Sequence, residues 1–280
     1  MSTRAPTVLE RILTETRQEV ERRKRERPLD AHHVVSESGR PAAASGPRAD
    51  AGRPFRDALL APGVSVIAEF KRRSPSAGTL REAADLEGVL AAYRSGGAAA
   101  LSILTEGPNF GGSLEDLRAA RASCELPLLR KDFILDAYQL REAQAAGADA
   151  VLLIVAALDA RSLAMLYGTA RGMDLDVLVE VHDREELHTA LSLGVDIVGI
   201  NNRDLRDFSV DVQRTERLVD GVPAGVAVVS ESGIADPAQL ARLHERGVHG
   251  VLVGESLMRS ADPAEAVRRL RRFSAAHDSL

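Results

Sequence analysis

The residues that invite a chemical reading stand at the ends of short apolar runs. Glu69 and Lys71 close the run Val66-Ile67-Ala68-Glu69-Phe70-Lys71. They are two apart, so in a strand they share one face while Ala68 and Phe70 take the other. Lys131 follows Leu129-Arg130, and Glu180 follows Leu178-Val179. Asn201, Asn202 and Arg203 follow Gly199-Ile200, and two further runs end in Ser230-Glu231-Ser232-Gly233 and Gly254-Glu255-Ser256. A lysine or glutamate at the dry end of a strand carries a large desolvation cost unless it is paired or used. Any one of these residues is readily explained as a structural ion pair. Their recurrence at run after run points to a shared site. Two lysines and two glutamates suit acid–base chemistry, each with a pKa tuned by burial and neighbours. A strand-end lysine equally suits Schiff-base chemistry, and spacing alone leaves the two open.

The elements that must position these residues form a regular series. Runs rich in Leu and β-branched residues at 64–69, 100–104, 126–130, 150–154, 177–181, 197–200, 227–230 and 250–253 read as strands. Amphipathic stretches follow them, with starts near Leu86, Ser113, Asp136, Asp159, Arg184, Val212, Pro237 and Asp262. Gly147, Gly194 and Gly247 close three of these helices just before the next strand. Nearly continuous apolar runs suit strands buried on both faces. Eight strand–helix units predict a closed parallel (β/α)₈ barrel of the TIM type over 64–275, whose active site lies at the C-terminal strand ends. An open doubly wound sheet is the alternative, but no G-x-G-x-x-G or Walker A pattern follows the first strand. Ahead of the barrel, Val8, Leu9, Ile12, Leu13, Thr16 and Val20 fall on one helical face, so 1–35 reads as an N-terminal helical extension. The stretch 36–54, rich in Ser, Gly, Pro, Ala and Arg, reads as a flexible surface connection. The whole chain is expected to form a single domain.

Smaller features refine the site. Ser232-Gly233 and Gly254-Glu255 follow the seventh and eighth strands, where barrels commonly bind phosphate through backbone N–H groups. Phe110 precedes Gly111-Gly112-Ser113 after the second strand and is placed to line an apolar pocket. Ser113 suits a helix N-cap. His32, His33, His182, His188, His244, His249 and His277 are scattered without ligand spacing and read as surface residues, so no metal site is expected.

Composition removes other classes. The chain has 280 residues, a net charge of −5, one cysteine, no tryptophan and 3% aromatics. That balance disfavours nucleic acid and membrane surfaces as partners. A single cysteine, Cys124, allows no internal disulfide and fits a reducing, cytoplasmic setting. No apolar stretch is long enough for a transmembrane helix, and the charged start does not resemble a secretory signal.

The segments "IAEFKRRSPSAG", "LTEGPNFGGSLEDL", "LLRKDFILDAYQLREAQAAGADAVLLI", "LVEVHDREEL", "IVGINNRDL", "VSESGI" and "VLVGESLM" resemble the indole-3-glycerol-phosphate synthases, in the family's order, from about Glu69 to Met258. The resemblance implies ring closure, decarboxylation and dehydration of 1-(o-carboxyphenylamino)-1-deoxyribulose 5-phosphate, a step of tryptophan biosynthesis. It implies no cofactor. By the same resemblance Lys131 is the general acid, Glu180 an acid–base partner in dehydration, and Lys71 the holder of the substrate carboxylate. Glu69 orients the lysines, and Asn201 and Ser232 complete the catalytic set. Ser74 and Phe110 match positions near the aryl end. Arg203, Gly233, Gly254 and Glu255 match substrate- and phosphate-binding positions. Glu255 stands where some members carry a small residue, so its side chain is expected to turn away from the phosphate. Other tryptophan-pathway enzymes are the macromolecular partners the resemblance leaves open. A phosphoribosylanthranilate isomerase, a Schiff-base aldolase and an inactive scaffold barrel are the competing readings. The isomerase would call for a Cys/Asp pair, and Cys124 stands near a helix end.

Overall fold

The computed structural model describes residues 6–28 and 53–275. The chain opens with helix α1, Val8–Glu26, started by a reciprocal capping box between Thr7 and Glu10. Its apolar face buries Leu9, Ile12, Leu13, Thr16 and Val20, as the helical spacing predicts. Most of the predicted connection, 36–52, lies outside the described residues, and so do His32, His33 and His277. The connection's last residue, Pro54, starts a short helix, α2 (Pro54–Leu59), that the sequence reading does not foresee. Proline suits a first helical position because its missing N–H is unpaired there anyway.

Eight parallel strands then close on themselves. They are β1 (Ser65–Phe70), β4 (Ala100–Leu104), β5 (Leu128–Lys131), β6 (Ala150–Ile154), β7 (Asp176–Val181), β8 (Ile197–Asn201), β9 (Ala227–Glu231) and β10 (Gly250–Val253). Each pairs in parallel with its sequence neighbours in the barrel, and β10 returns to β1 through Ser65 opposite Gly250. The fold is therefore a TIM barrel, as predicted. Strand β5 starts two residues later than expected and extends to Lys131, while β8 and β9 extend to Asn201 and Glu231. A small hairpin, β2 (Arg73–Ser74) with β3 (Gly78–Thr79), lies in the loop after β1.

Helices α3 (Leu86–Gly96), α4 (Leu114–Ser123), α5 (Ala137–Ala145), α6 (Ala160–Gly172), α7 (Arg184–Ser192) and α9 (Pro237–Glu245) cover the outside. The helix expected at Val212 shrinks to α8, Arg214–Leu218, and β10 leads through α10 (Glu255–Arg259) to α11 (Pro263–Ala275). Ser113, Asp136, Asp159 and Asp183 cap their helices with side-chain oxygens. Gly147, Gly194 and Gly247 take left-handed backbone angles at the helix–strand junctions.

Two apolar cores follow from the alternation along each strand. Val66, Ala68, Leu101, Ile103, Val177 and Val179 face outward and pack with the helices. Ile67, Leu129, Leu178, Ile197, Val229 and Leu252 face inward and fill the barrel. Phe55 and Leu59 of α2 belong to the inner core, as do Leu9, Ile12 and Leu13 of α1.

Candidate active site

The inward lines of most strands carry the chemistry. Continuing the two-residue period from the inward apolar residues gives Ile67 to Glu69 and Lys71, Leu129 to Lys131, and Leu178 to Glu180. On the other half it gives Ile197 to Asn201, Val229 to Glu231, and Leu252 to Gly254. The apolar plug therefore gives way, one pleat further on, to a layer of charges and amides.

These residues line a cavity of about 400 Å³ at the C-terminal strand ends. Glu69, Lys71, Lys131, Glu180, Asn201 and Ser232 all face it, and so do Ser74, Phe110, Arg203, Gly233, Gly254 and Glu255. The structure therefore brings together the twelve residues to which the family resemblance gives a place in the site. One side is apolar: Phe110 and Phe133 have ring centroids 6.3 Å apart at a 40° tilt, with Leu152 and Ile154 nearby in the lining. That wall suits an aryl ring. On the other side lie Arg203, Ser232 to Ile234, and Gly254 to Ser256, together with Arg259.

Lys131 is the electrostatic centre. Its Nζ donates to Glu180 Oε2 and to Glu231 Oε2, each at 2.9 Å, and both carboxylates are buried. Burial alone pulls the lysine pKa down, but the carboxylates of Glu180, Glu231 and Glu69 outweigh it, so the ammonium stands well above its ordinary value. Glu180 is raised by burial but lowered more by Lys131 and His182, leaving it well below the usual carboxylate range. Glu231 is pushed up to about 7 by burial, against the pull of Lys131 and helped by the charges of Glu180 and Glu69. Two carboxylates sharing one lysine titrate as a unit. Glu180 is the member with a second cation beside it, so Glu180 is the one held ionised.

A second pair sits beside the first. Lys71 Nζ lies 2.8 Å from Glu69 Oε1. Gly254 makes room for it, because a Cβ there would come within 2.4 Å of Glu69 Oε1. The loop leaving β1 is held by Arg72, which grips Asp116 with both guanidinium nitrogens at 2.6 and 2.7 Å and lies over the Phe70 ring.

Supporting polar groups fix the rim. Ser232 has a left-handed φ of 64°, uncommon for a residue with a side chain. Its backbone carbonyl accepts from Asn202 Nδ2 at 3.0 Å, and Asn202 Oδ1 accepts from the backbone N–H and hydroxyl of Thr215 at 3.1 and 3.0 Å. Asn202 is fully buried and holds the turn rather than facing the cavity. Arg130, also fully buried, bonds Thr105, the Gln139 carbonyl and Asp132 beneath the Lys131 end of β5. Glu255 pairs with Arg259 at 3.2 Å, which turns its carboxylate along α10.

Phe133 and Arg259 line the cavity without a role assigned from the sequence, and two polar residues matter more than the sequence suggests. Glu231 is noted there only within the strand end Ser230-Glu231-Ser232-Gly233, although its even spacing from Val229 is the signal that places it inside. His182, read as a surface residue, is half-buried between Glu180 and Glu186, with Nε2 3.4 Å from Glu180 Oε1 and Nδ1 3.0 Å from Glu186 Oε2. That surface expectation is corrected: the carboxylates of Glu180 and Glu186 hold the ring of the first residue after β7 between them. Burial pulls the His182 pKa down, but its two carboxylate partners raise it to about 10.

Fold and site together define a TIM-barrel protein with a buried lysine–carboxylate centre suited to acid–base chemistry. Comparison with known proteins narrows this class. The family model for indole-3-glycerol phosphate synthase matches residues 9–270, and the chain belongs to that family. It is 49% identical over 218 residues to "Indole-3-glycerol phosphate synthase 2" of Streptomyces coelicolor, covering 78% of this chain and 84% of that one. It is 45% identical to the "Indole-3-glycerol phosphate synthase" of Salinibacter ruber, covering 95% of both chains. Among solved structures, the 3-hexulose-6-phosphate synthase of Salmonella typhimurium aligns with a TM-score of 0.61 at 14% identity, covering 76% of this chain and all of that one. At that identity the likeness concerns the barrel alone. No helix among the described residues is long and apolar enough to cross a membrane.

Proposed function

We propose that this chain is an indole-3-glycerol-phosphate synthase, a carboxy-lyase that converts 1-(o-carboxyphenylamino)-1-deoxyribulose 5-phosphate to indole-3-glycerol phosphate, CO₂ and water. The observation that carries the mechanism is Lys131 clamped between two buried carboxylates. A Schiff-base lysine must spend time as a neutral amine. Lys131 is held as an ammonium instead, which favours proton donation over attack on a carbonyl.

In this reading the aryl ring lies against Phe110 and Phe133, with Ser74 near that end, and Lys71 holds its carboxylate. The phosphate takes the opposite side, near Arg203, Gly233, Gly254 and the Glu255 backbone. The ring carbon attacks the ketose carbonyl, and Lys131 protonates the carbonyl oxygen as negative charge builds there. Loss of CO₂ leaves its electron pair in the ring and restores aromaticity at the benzene carbons. Glu180 then removes a proton while an acid, Lys71 or Lys131, protonates the departing hydroxyl, which leaves as water. Glu180, held ionised beside Lys131, is in the protonation state a base needs, and the Lys131 ammonium is in the state an acid needs. Asn201 and Ser232 orient the hydroxyl-bearing chain. The setting of this reaction is the cytoplasm, and enzymes that deliver the substrate or consume the indole product are the partners to look for.

Direct turnover tests the reading. Purified protein is mixed with the arylamino ketose phosphate and indole fluorescence is followed, against a low background because the chain has no tryptophan. Emission that rises with the wild type and is lost in Lys131→Ala supports it. No emission from folded protein sinks it, and borohydride trapping of a covalent substrate adduct would favour the aldolase alternative.

A further inference from the structure

His182 joins two carboxylates that lie on different elements. Its backbone N–H and its Nδ1 both meet Glu186 Oε2 of α7, at 2.8 and 3.0 Å. On the other edge of the ring, Nε2 faces Glu180 Oε1 at 3.4 Å. The second oxygen of Glu180 accepts from Lys131. Glu186, His182, Glu180, Lys131 and Glu231 thus form one line from the outer helix layer into the cavity. Glu180 Oε1 and His182 Nε2 are both buried, and neither has another hydrogen-bond partner. Their contact is one of charge, and a shift of about half an ångström makes it a hydrogen bond.

Counting charges shows what the ring adds. Glu69 and Lys71 neutralise one another. Lys131 alone then serves Glu180 and Glu231, at equal distances and with equal burial. Nothing in that three-membered group distinguishes the two carboxylates. Like charges this close do not both stay ionised without compensation, and one of them takes up a proton. Outside that group, the charge of Glu69 disfavours ionisation of Glu231, and the ring beside Glu180 favours ionisation of Glu180.

We propose that His182, held as an imidazolium by Glu186, is the positioning residue that makes Glu180 the ionised member of the carboxylate pair and Glu231 the member that carries the proton. This rests on the acid–base role given to Glu180 above. His182 touches no reacting atom in this account; it acts through Glu180. The charged and titratable groups around the ring are Glu180 on β7, the strand it follows, Glu186 on α7 and Lys131 beyond Glu180. Asp183 follows it in the chain and caps α7, and Arg206 of the loop after β8 feels the field of Asp183. The two groups in direct contact are both carboxylates, which favours the charged ring.

The test is the pH profile of turnover in the full-length enzyme. His182→Asn keeps a polar side chain and removes the charge. Its acid limb of kcat is expected to move up by about one pH unit, with KM little changed. Glu186→Gln, made at a half-buried position on α7, is expected to move the limb the same way by a smaller amount. A merely structural role for the ring would lower thermal stability and leave the limb in place. The ring's charge is read separately from the NMR shift of its Cε1 proton, which is expected to stay in the protonated range through pH 8. Active variants with an unmoved acid limb, or a ring that titrates near pH 6.5, overturn the proposal. If His182→Asn does not fold, Glu186→Gln and the NMR titration decide. A wild type without turnover defeats the synthase reading instead, while the NMR titration still reports on the ring.

Discussion

Replacing Lys131 with methionine removes the one cation that Glu180 and Glu231 share. Methionine fills similar space with an apolar chain, so the loss is mainly of charge. Both carboxylates are 1% exposed, so water does little to screen what remains. Breaking a buried ion pair by deleting one partner costs about 3–5 kcal/mol. At about 2–4 °C per kcal/mol for a large domain, the melting temperature should fall by roughly 10 °C at pH 8. The sign reverses the wild-type dependence on acid. In the wild type Glu180 is depressed, so its contribution is present above the unfolded carboxyl value of about 4.3 and is lost as pH falls through the folded value. In the variant Glu231, already raised to about 7, is raised further and Glu180 loses the lowering by Lys131, so the added contribution is fully present below about 4.3 and is lost as pH rises through the raised value. The deficit in melting temperature should therefore be wide at pH 8 and narrow at pH 5. Far-UV circular dichroism melts at the two pH values measure it, and indole fluorescence should show turnover down by about 10³-fold. A deficit that is equal at both pH values, or larger at pH 5, refutes the shared-cation account.

Gly254→Ala places a Cβ 2.4 Å from Glu69 Oε1 and 3.1 Å from Glu69 Cβ, so the carboxylate must leave Lys71. Turnover should fall at least about tenfold with a stability loss of about 1–3 kcal/mol, and a variant with wild-type kcat would contradict the packing argument. Glu231→Gln removes a carboxyl raised to about 7, whose stabilising protonated form is lost as pH rises through that value. Relative to wild type, the variant should melt higher at pH 8 than at pH 5 while turning over more slowly; the opposite order in melting temperature would count against the raised carboxyl.

Much of the architecture was legible because a TIM barrel is periodic. Alternation of apolar strands with amphipathic helices, and glycines at the junctions, needs only local pattern. The departures come where local pattern is weak. Helix α8 has five residues, too few for a helical period to show. The hairpin β2–β3 has two residues in each arm. Helix α2 is also short, and is defined by its docking under the barrel, where Asp176 accepts from the Arg56 backbone and the Arg53 side chain. At the site, Lys131 and Glu180 stand out because a charge ends an apolar run. Glu231 is obscured by the serines on either side, and His182 by the acidic, solvent-like sequence that follows it.

The amino-acid sequence by itself determined that charged and amide residues end most strands, and that along most strands one alternating line changes from apolar to polar after one more pleat. Those are properties of a two-residue period and need no partner. The tertiary structure decided which of these residues meet. Lys131 reaches Glu180 across 49 positions of sequence and Glu231 across 100, because closure and stagger of the barrel bring three strand ends to one level. It also decided which carboxylate is held ionised. That depends on burial and on a neighbouring imidazole, quantities that exist only once the chain has excluded water from the barrel mouth.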